Sequence, residues 1–264
     1  MGERITLQKL RAQKGREKIT ALTAYDATFA ALLDRAGIEL VLVGDSLGMV
    51  VQGHETTLPV RLEAMVYHTA AVRRGLERAF LVADLPFASY GDPETALTSA
   101  AELMRAGAQM VKLEGGHHRG EVVRRLTEEG IPVCGHMGIL PQSVHRFGYR
   151  LDLEAPEAAE RFLEEALDLE RAGIELLVLE GVPPLLAQAV TAELKVPVIG
   201  IGSGKGVDGQ ILVLYDLLGI SPSPPPFAED FFRGAGSIEA AVRNYVQAVK
   251  EERFPGDGEV PSSR

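Results

Sequence analysis

Apolar residues in this chain come in short unbroken bursts, separated by longer stretches with helical spacing. Eight bursts stand out, at 19–25, 40–44, 80–83, 110–113, 131–135, 176–179, 196–201 and 211–215. They are rich in Val, Ile and Leu and do not alternate with polar residues. Strands buried on both faces of a parallel sheet read this way. Between the bursts the pattern changes period. In 155–173, Ala158, Phe162, Ala166 and Leu169 fall at helical intervals among Glu and Arg, and Gly173 supplies the stop. Arg-Ala-Gly recurs at 35–37, 105–107 and 171–173. A glycine after a basic last turn marks a helix C-terminus, so these near-copies point to a repeated β-α unit.

Eight units in 264 residues leave about 33 residues each, the size of a βαβ module. The expectation is an α/β fold, a (β/α)8 TIM barrel with an extra N-terminal helix over 6–14. A doubly wound open sheet is the alternative. The seventh and eighth bursts are too close for a full helix between them. Residues 221–226, Ser-Pro-Ser-Pro-Pro-Pro, exclude helix and central strand, and a last helix is expected over 237–252. Residues 1–264 are expected to form one barrel domain, with a disordered tail after about 253.

Composition narrows the class. The chain carries 27 basic and 37 acidic residues, a formal charge of −10. That balance argues against nucleic acid as a partner, because phosphate contacts need clustered Lys and Arg. The single cysteine, Cys134, excludes an internal disulfide and a cysteine-based zinc site. No run reaches the ~20 apolar residues of a membrane span, and the first 15 residues lack the apolar segment of a secretory signal. A cytoplasmic protein with no membrane partner is expected.

In a barrel the site lies at the C-terminal strand ends. The first polar residues there are Asp26, Asp45 with Ser46, Asp84, Lys112 with Glu114, His136, Glu180, Ser203 with Lys205, and Asp216. Acids at three consecutive strand ends (Asp45, Asp84 and Glu114) repel one another unless a cation lies among them. Hard oxygen donors favour Mg²⁺ or Mn²⁺ over zinc; helix caps or local ion pairs are the alternative roles. Glu180 leaves an apolar strand alone and is a candidate general base. His136 reads equally as a rim residue or a substrate contact. The glycines at 204, 206 and 209 match a dinucleotide fingerprint but open into a strand instead of a helix, so that reading lacks its context.

Several segments together carry a family resemblance. They include 23–26 (Thr-Ala-Tyr-Asp), 43–50 (Val-Gly-Asp-Ser-Leu-Gly-Met-Val), 83–87 (Ala-Asp-Leu-Pro-Phe), 111–116 (Val-Lys-Leu-Glu-Gly-Gly), Gly135-His136 with Pro141-Gln142, 178–180 (Val-Leu-Glu) and 199–202 (Ile-Gly-Ile-Gly). In this order, over about residues 5–250, the chain resembles the ketopantoate hydroxymethyltransferases. The resemblance implies a Mg²⁺-dependent (β/α)8 barrel, one ion per subunit. It would transfer a hydroxymethyl group from 5,10-methylenetetrahydrofolate, its co-substrate, to the small molecule 3-methyl-2-oxobutanoate through a Mg-stabilised enolate. The product, 2-dehydropantoate, leads to pantothenate and coenzyme A.

By the same resemblance Asp45, Asp84 and Glu114 match metal positions, Glu114 through water. Asp45, Ser46, Asp84, Lys112 and His136 match substrate contacts, Glu180 matches the proton acceptor, and the assembly is a homodecamer. The chain departs from the family pattern at Arg61, at Ser203, at 147–152 (Phe-Gly-Tyr-Arg-Leu-Asp) and at Pro226-Phe227. A Mg-dependent 2-oxo-acid lyase or mutase of the phosphoenolpyruvate-mutase and isocitrate-lyase type is the alternative function.

Overall fold

The computed structural model describes residues 3–153 and 155–256. Eight parallel strands close into a barrel in chain order: β1 (Ile19–Thr23), β2 (Leu40–Val43), β3 (Phe80–Asp84), β4 (Met110–Glu114), β5 (Val133–Gly138), β6 (Leu176–Glu180), β7 (Val198–Ile201) and β8 (Gly209–Leu212). Closure is made by β1 against β8, with Ile19 opposite Gly209. The helices are α1 (Leu7–Gln13), α2 (Ala27–Ala36), α3 (Leu47–Val50), α4 (Leu62–Gly75), α5 (Pro93–Arg105), α6 (Gly120–Glu128), α7 (Val144–Phe147), α8 (Pro156–Ala172), α9 (Pro184–Glu193), α10 (Leu214–Leu217) and α11 (Ile238–Lys250).

The strands are continuous in sequence hydrophobicity because each face has its own apolar neighbours. Inward residues such as Leu40, Phe80, Met110, Leu176 and Ile211 fill the barrel, and Ile5 and Leu10 join them. Their neighbours Val41, Leu81, Val111 and Leu177 pack outward with the helices. The N-terminal helix is present, with the Thr6 side chain accepting from Lys9 N. It is held by Asp208, which takes Lys14 Nζ at 2.8 Å, Gly15 N at 3.0 Å and Val198 N at 2.9 Å. The repeated Arg-Ala-Gly junctions end their helices as the motif implies: Gly37, Gly107 and Gly173 have φ of 105°, 110° and 113°.

Every strand differs from its apolar burst by a residue or more at one end, and β5 and β8 differ at both. Pro132 has no N–H for the ladder, so β5 begins at Val133 and takes in His136. β8 runs from Gly209, where a Cβ would stand 2.4 Å from Ile19 O on β1, to Leu212. No helix separates β7 from β8, as their spacing requires. The chain beyond Arg253 keeps its order for at least three residues. Phe254 is buried, with its ring 5.4 Å from Phe231 and 5.6 Å from Tyr245. The rest of the tail expected to be disordered, 257–264, lies outside the described residues.

Tyr245 ties the last helix to the barrel. Its buried hydroxyl meets Ala21 O at 3.0 Å and Gln210 O at 2.9 Å, on the two strands that close the sheet. Tyr245→Phe is expected to cost about 1 kcal/mol, the usual net value of an internal hydrogen bond. Denaturant unfolding of the two proteins checks this.

Candidate active site

The period of a strand builds the site. Successive side chains alternate between faces, so β3 sends Phe80, Val82 and Asp84 inward, and β4 sends Met110, Lys112 and Glu114. Cys134 and His136 follow on β5, and Leu176, Val178 and Glu180 on β6. The lower members of these columns belong to the apolar barrel interior. The upper members, with Asp45 and Ser46 beyond the end of β2, line a cavity of about 1560 Å³. Register sets their neighbours: Asp84 lies opposite Lys112, and Glu114 opposite His136.

The Lys112 ammonium stands 2.8 Å from Asp84 Oδ1. Asp84 Oδ2 accepts from Asp45 N at 3.0 Å. His136 bridges the remaining carboxylates: Nδ1 faces Glu114 Oε1 at 3.5 Å, and Nε2 faces Glu180 Oε2 at 3.3 Å. Lys112 Nζ is 3.3 Å from His136 Nδ1. Ser46 Oγ meets Tyr25 Oη at 2.9 Å. All seven side chains named from the sequence therefore face one space. Three other strand-end residues do not serve it. Asp26 caps α2 by accepting from Phe29 N at 2.9 Å. Ser203 Oγ is used by backbone, accepting from Val182 N at 3.1 Å and donating to Leu179 O at 2.8 Å. Lys205 does not line the cavity. Asp216 does line the cavity, and it is buried.

Crowded charge sets the protonation of the group. Burial, then the Asp84 and Glu114 charges, push the Asp45 carboxyl up to about 8. Burial acts against the Lys112 ammonium, but Asp84, Glu114 and Asp45 outweigh it and hold it above its ordinary value. Burial and Lys112 also oppose charge on His136. The bonds to Glu114 and Glu180 prevail and raise its imidazole to about 9. Burial would raise Glu114, yet His136, Lys112 and the Gln142 amide keep it lowered.

The residues fit a hard divalent cation. Asp84 Oδ1 is buried and forms no hydrogen bond, although the Lys112 ammonium lies 2.8 Å away. Asp45 is crowded by like charge. Gly44 leaves the space above them open, since a Cβ there would stand 2.8 Å from Ser46 Oγ and 3.5 Å from Asp84 Oδ2. Among the described residues no three His, Cys, Asp or Glu side chains converge as a ligand set of their own. Of the three acids read from the sequence, Asp45 and Asp84 lie side by side, Asp84 Oδ2 accepting from Asp45 N. Glu114 stands apart because His136 and Gln142 N hold it. Two carboxylates completed by water and substrate are a usual provision for Mg²⁺.

Comparison with known proteins decides the family. Residues 4–257 match the family model for ketopantoate hydroxymethyltransferase. The chain belongs to the ketopantoate hydroxymethyltransferase family. It is 54% identical over 255 residues to a 3-methyl-2-oxobutanoate hydroxymethyltransferase of Burkholderia multivorans, covering 96% of this chain and 94% of that protein. The namesake from Nitrosococcus oceani is 54% identical over 256 residues, 96% of this chain and 97% of that one. Among solved structures, phosphoenolpyruvate phosphomutase from Streptomyces platensis superposes with a TM-score of 0.63 at 13% identity, covering 81% and 82% of the two chains. Phosphonopyruvate hydrolase in complex with oxalate and Mg²⁺ gives 0.60 at 14% identity over 97% and 91%. The structural likeness is one of fold. Membership makes this chain an enzyme of hydroxymethyl transfer.

The site also brings together groups the sequence reading did not assign. Gln142, in the turn 141–143 after β5, reaches Asp45 Oδ2 with Nε2 at 2.9 Å, and its backbone N reaches Glu114 Oε2 at 3.0 Å. Tyr90 donates to Gln142 Oε1 and takes Glu114 N at 3.3 Å. Arg119 covers the Tyr90 ring, its Cζ 4.6 Å from the centroid. These residues sit at no strand end; Pro141-Gln142 is among the segments of the family resemblance, and the pairing of distant loops shows what Gln142 and Tyr90 touch. Among the described residues no helix is long and apolar enough to cross a membrane.

Proposed function

We propose that this chain transfers a hydroxymethyl group from 5,10-methylenetetrahydrofolate to 3-methyl-2-oxobutanoate, giving 2-dehydropantoate for pantothenate synthesis. The observation that carries the proposal is the convergence of Asp45, Asp84, Lys112 and Glu180 on one cavity in a chain of this family. Asp45 and Asp84 would hold Mg²⁺, one ion per subunit, with Glu114 behind them. When bound, the cation supplies Lewis acidity beside the substrate's carboxylate and keto oxygens. Lys112 and Ser46 neutralise and orient the substrate carboxylate. Glu180 takes the proton from C3, the carbon next to the ketone, as general base. His136 holds the Glu180 carboxylate toward the cavity. The C3 carbanion equivalent then bonds to the folate methylene carbon, the methylene C–N bonds break, and water supplies the hydroxyl, releasing tetrahydrofolate. A cytoplasmic setting, small-molecule partners and assembly into a homodecamer belong to the same proposal.

The 2-oxo-acid lyase or mutase alternative is favoured by fold likeness alone. It requires no folate. Asp84→Ala tests the metal part of the proposal. The substitution removes one of two ligands and is expected to weaken Mg²⁺ binding in a calorimetric titration of the metal-free protein; wild-type affinity would sink the assignment.

A further inference from the structure

Asp45 is the proposed ligand least fixed by its own backbone. It follows the end of β2, beyond the sheet, and its N–H is already engaged by Asp84. What orients its carboxylate comes from elsewhere in the chain. Gln142 is buried and uses every polar side-chain atom. Nε2 donates to Asp45 Oδ2 at 2.9 Å and to Leu85 O at 3.0 Å, while Oε1 accepts from Tyr90. The orientation of the amide is determined. Leu85 O can only accept, so it and the Asp45 carboxylate require the NH2 end of the amide, and Oε1 is left to accept the Tyr90 proton while the Tyr90 oxygen accepts Glu114 N. Arg119 fixes Tyr90 in turn, donating to Tyr90 O at 3.3 Å and Glu114 O at 3.1 Å.

We infer that Gln142 is a positioning residue for the metal site: it holds Asp45 Oδ2 so that Asp45 Oδ1 is presented to the cation, and Tyr90 sets the Gln142 amide. The inference rests on the proposed placement of Mg²⁺ at Asp45 and Asp84. Outer partners that orient ligating carboxylates are typically worth 10- to 100-fold in metal affinity. Gln142 also begins the segment whose Phe147, Tyr149 and Arg150 line the cavity mouth, so the metal site and that wall share one anchor.

The test is titration of the metal-free full-length protein with Mg²⁺ by calorimetry, for wild type, Gln142→Met and Tyr90→Phe. Methionine keeps the length of the side chain and removes its hydrogen bonds. The Kd for Mg²⁺ is expected to rise about 10- to 100-fold in Gln142→Met, and to rise less in Tyr90→Phe, where Nε2 keeps Asp45 and Leu85 O. The Mg²⁺ concentration for half-maximal activity should rise in step, with kcat recovering at saturating Mg²⁺. A merely structural role would lower kcat without recovery. If Gln142→Met does not fold, Tyr90→Phe decides: a raised Kd supports the inference and a wild-type Kd overturns it. A wild-type Kd in folded Gln142→Met overturns this inference and leaves the metal site standing. Absence of Mg²⁺ binding by wild type overturns both.

Discussion

Glu180→Gln is expected to lower kcat by about 10²- to 10⁴-fold, the range lost with a general acid–base group. The three other acids assigned to the chemistry already have partners. Asp84 is paired with Lys112, while Asp45 and Glu114 are tied to Gln142. Glu180 meets the site through His136 and, with its side chain 19% exposed, is more open than Asp84 and Glu114 at 3% each. Glutamine preserves its size and a contact to His136 but does not accept a proton from carbon. The fold and Mg²⁺ affinity should therefore persist. Exchange of the C3 hydrogen of 3-methyl-2-oxobutanoate with deuterated water, followed by NMR without folate, should fall with kcat. Exchange at the wild-type rate would remove Glu180 from the base role.

Lys112→Met is expected to have the largest effect on stability. Lys112 is buried among Asp84, Glu114 and Asp45. Removing one partner of a buried ion pair costs about 3–5 kcal/mol, because the remaining charge is left without compensation. Here three acids remain. Proton uptake by Asp45, already favoured by burial and by its neighbours, absorbs part of that cost. Mg²⁺ offers another compensating charge, so it should stabilise the variant more than the wild type. Denaturant unfolding with and without Mg²⁺ measures both effects. Wild-type stability of the metal-free variant would show that Lys112 does not balance the acids. The substrate carboxylate would also lose its cation, and KM for the oxo acid should rise.

The barrel was legible because its strands read as continuous apolar bursts, and eight such bursts in units of about 33 residues match a (β/α)8 barrel. The phase within a strand was harder to read. Lys112 sits inside an apolar burst, and only the alternation Met110, Lys112, Glu114 shows that it faces the cavity and not the helices. Position after a strand misled at Asp26 and Ser203, whose side chains turn back to backbone N–H groups. Gln142 stands in a segment that carries the family resemblance, but its role and that of Tyr90 arise where the loops after β5 and β3 meet. Net charge located nothing. Only four of the 37 acids, Asp45, Asp84, Glu114 and Glu180, belong to the proposed chemistry. Others serve the outer surface, as do Glu239 with Arg243 and Glu102 with Arg105.

The most direct measurement of the central claim is a product assay on the purified protein with 3-methyl-2-oxobutanoate, 5,10-methylenetetrahydrofolate and Mg²⁺. The account predicts that 2-dehydropantoate and tetrahydrofolate form together, and that omitting either the folate or the metal abolishes both. Turnover of the oxo acid that proceeds unchanged without methylenetetrahydrofolate would contradict it, and would place the chain with the lyases and mutases whose fold it shares.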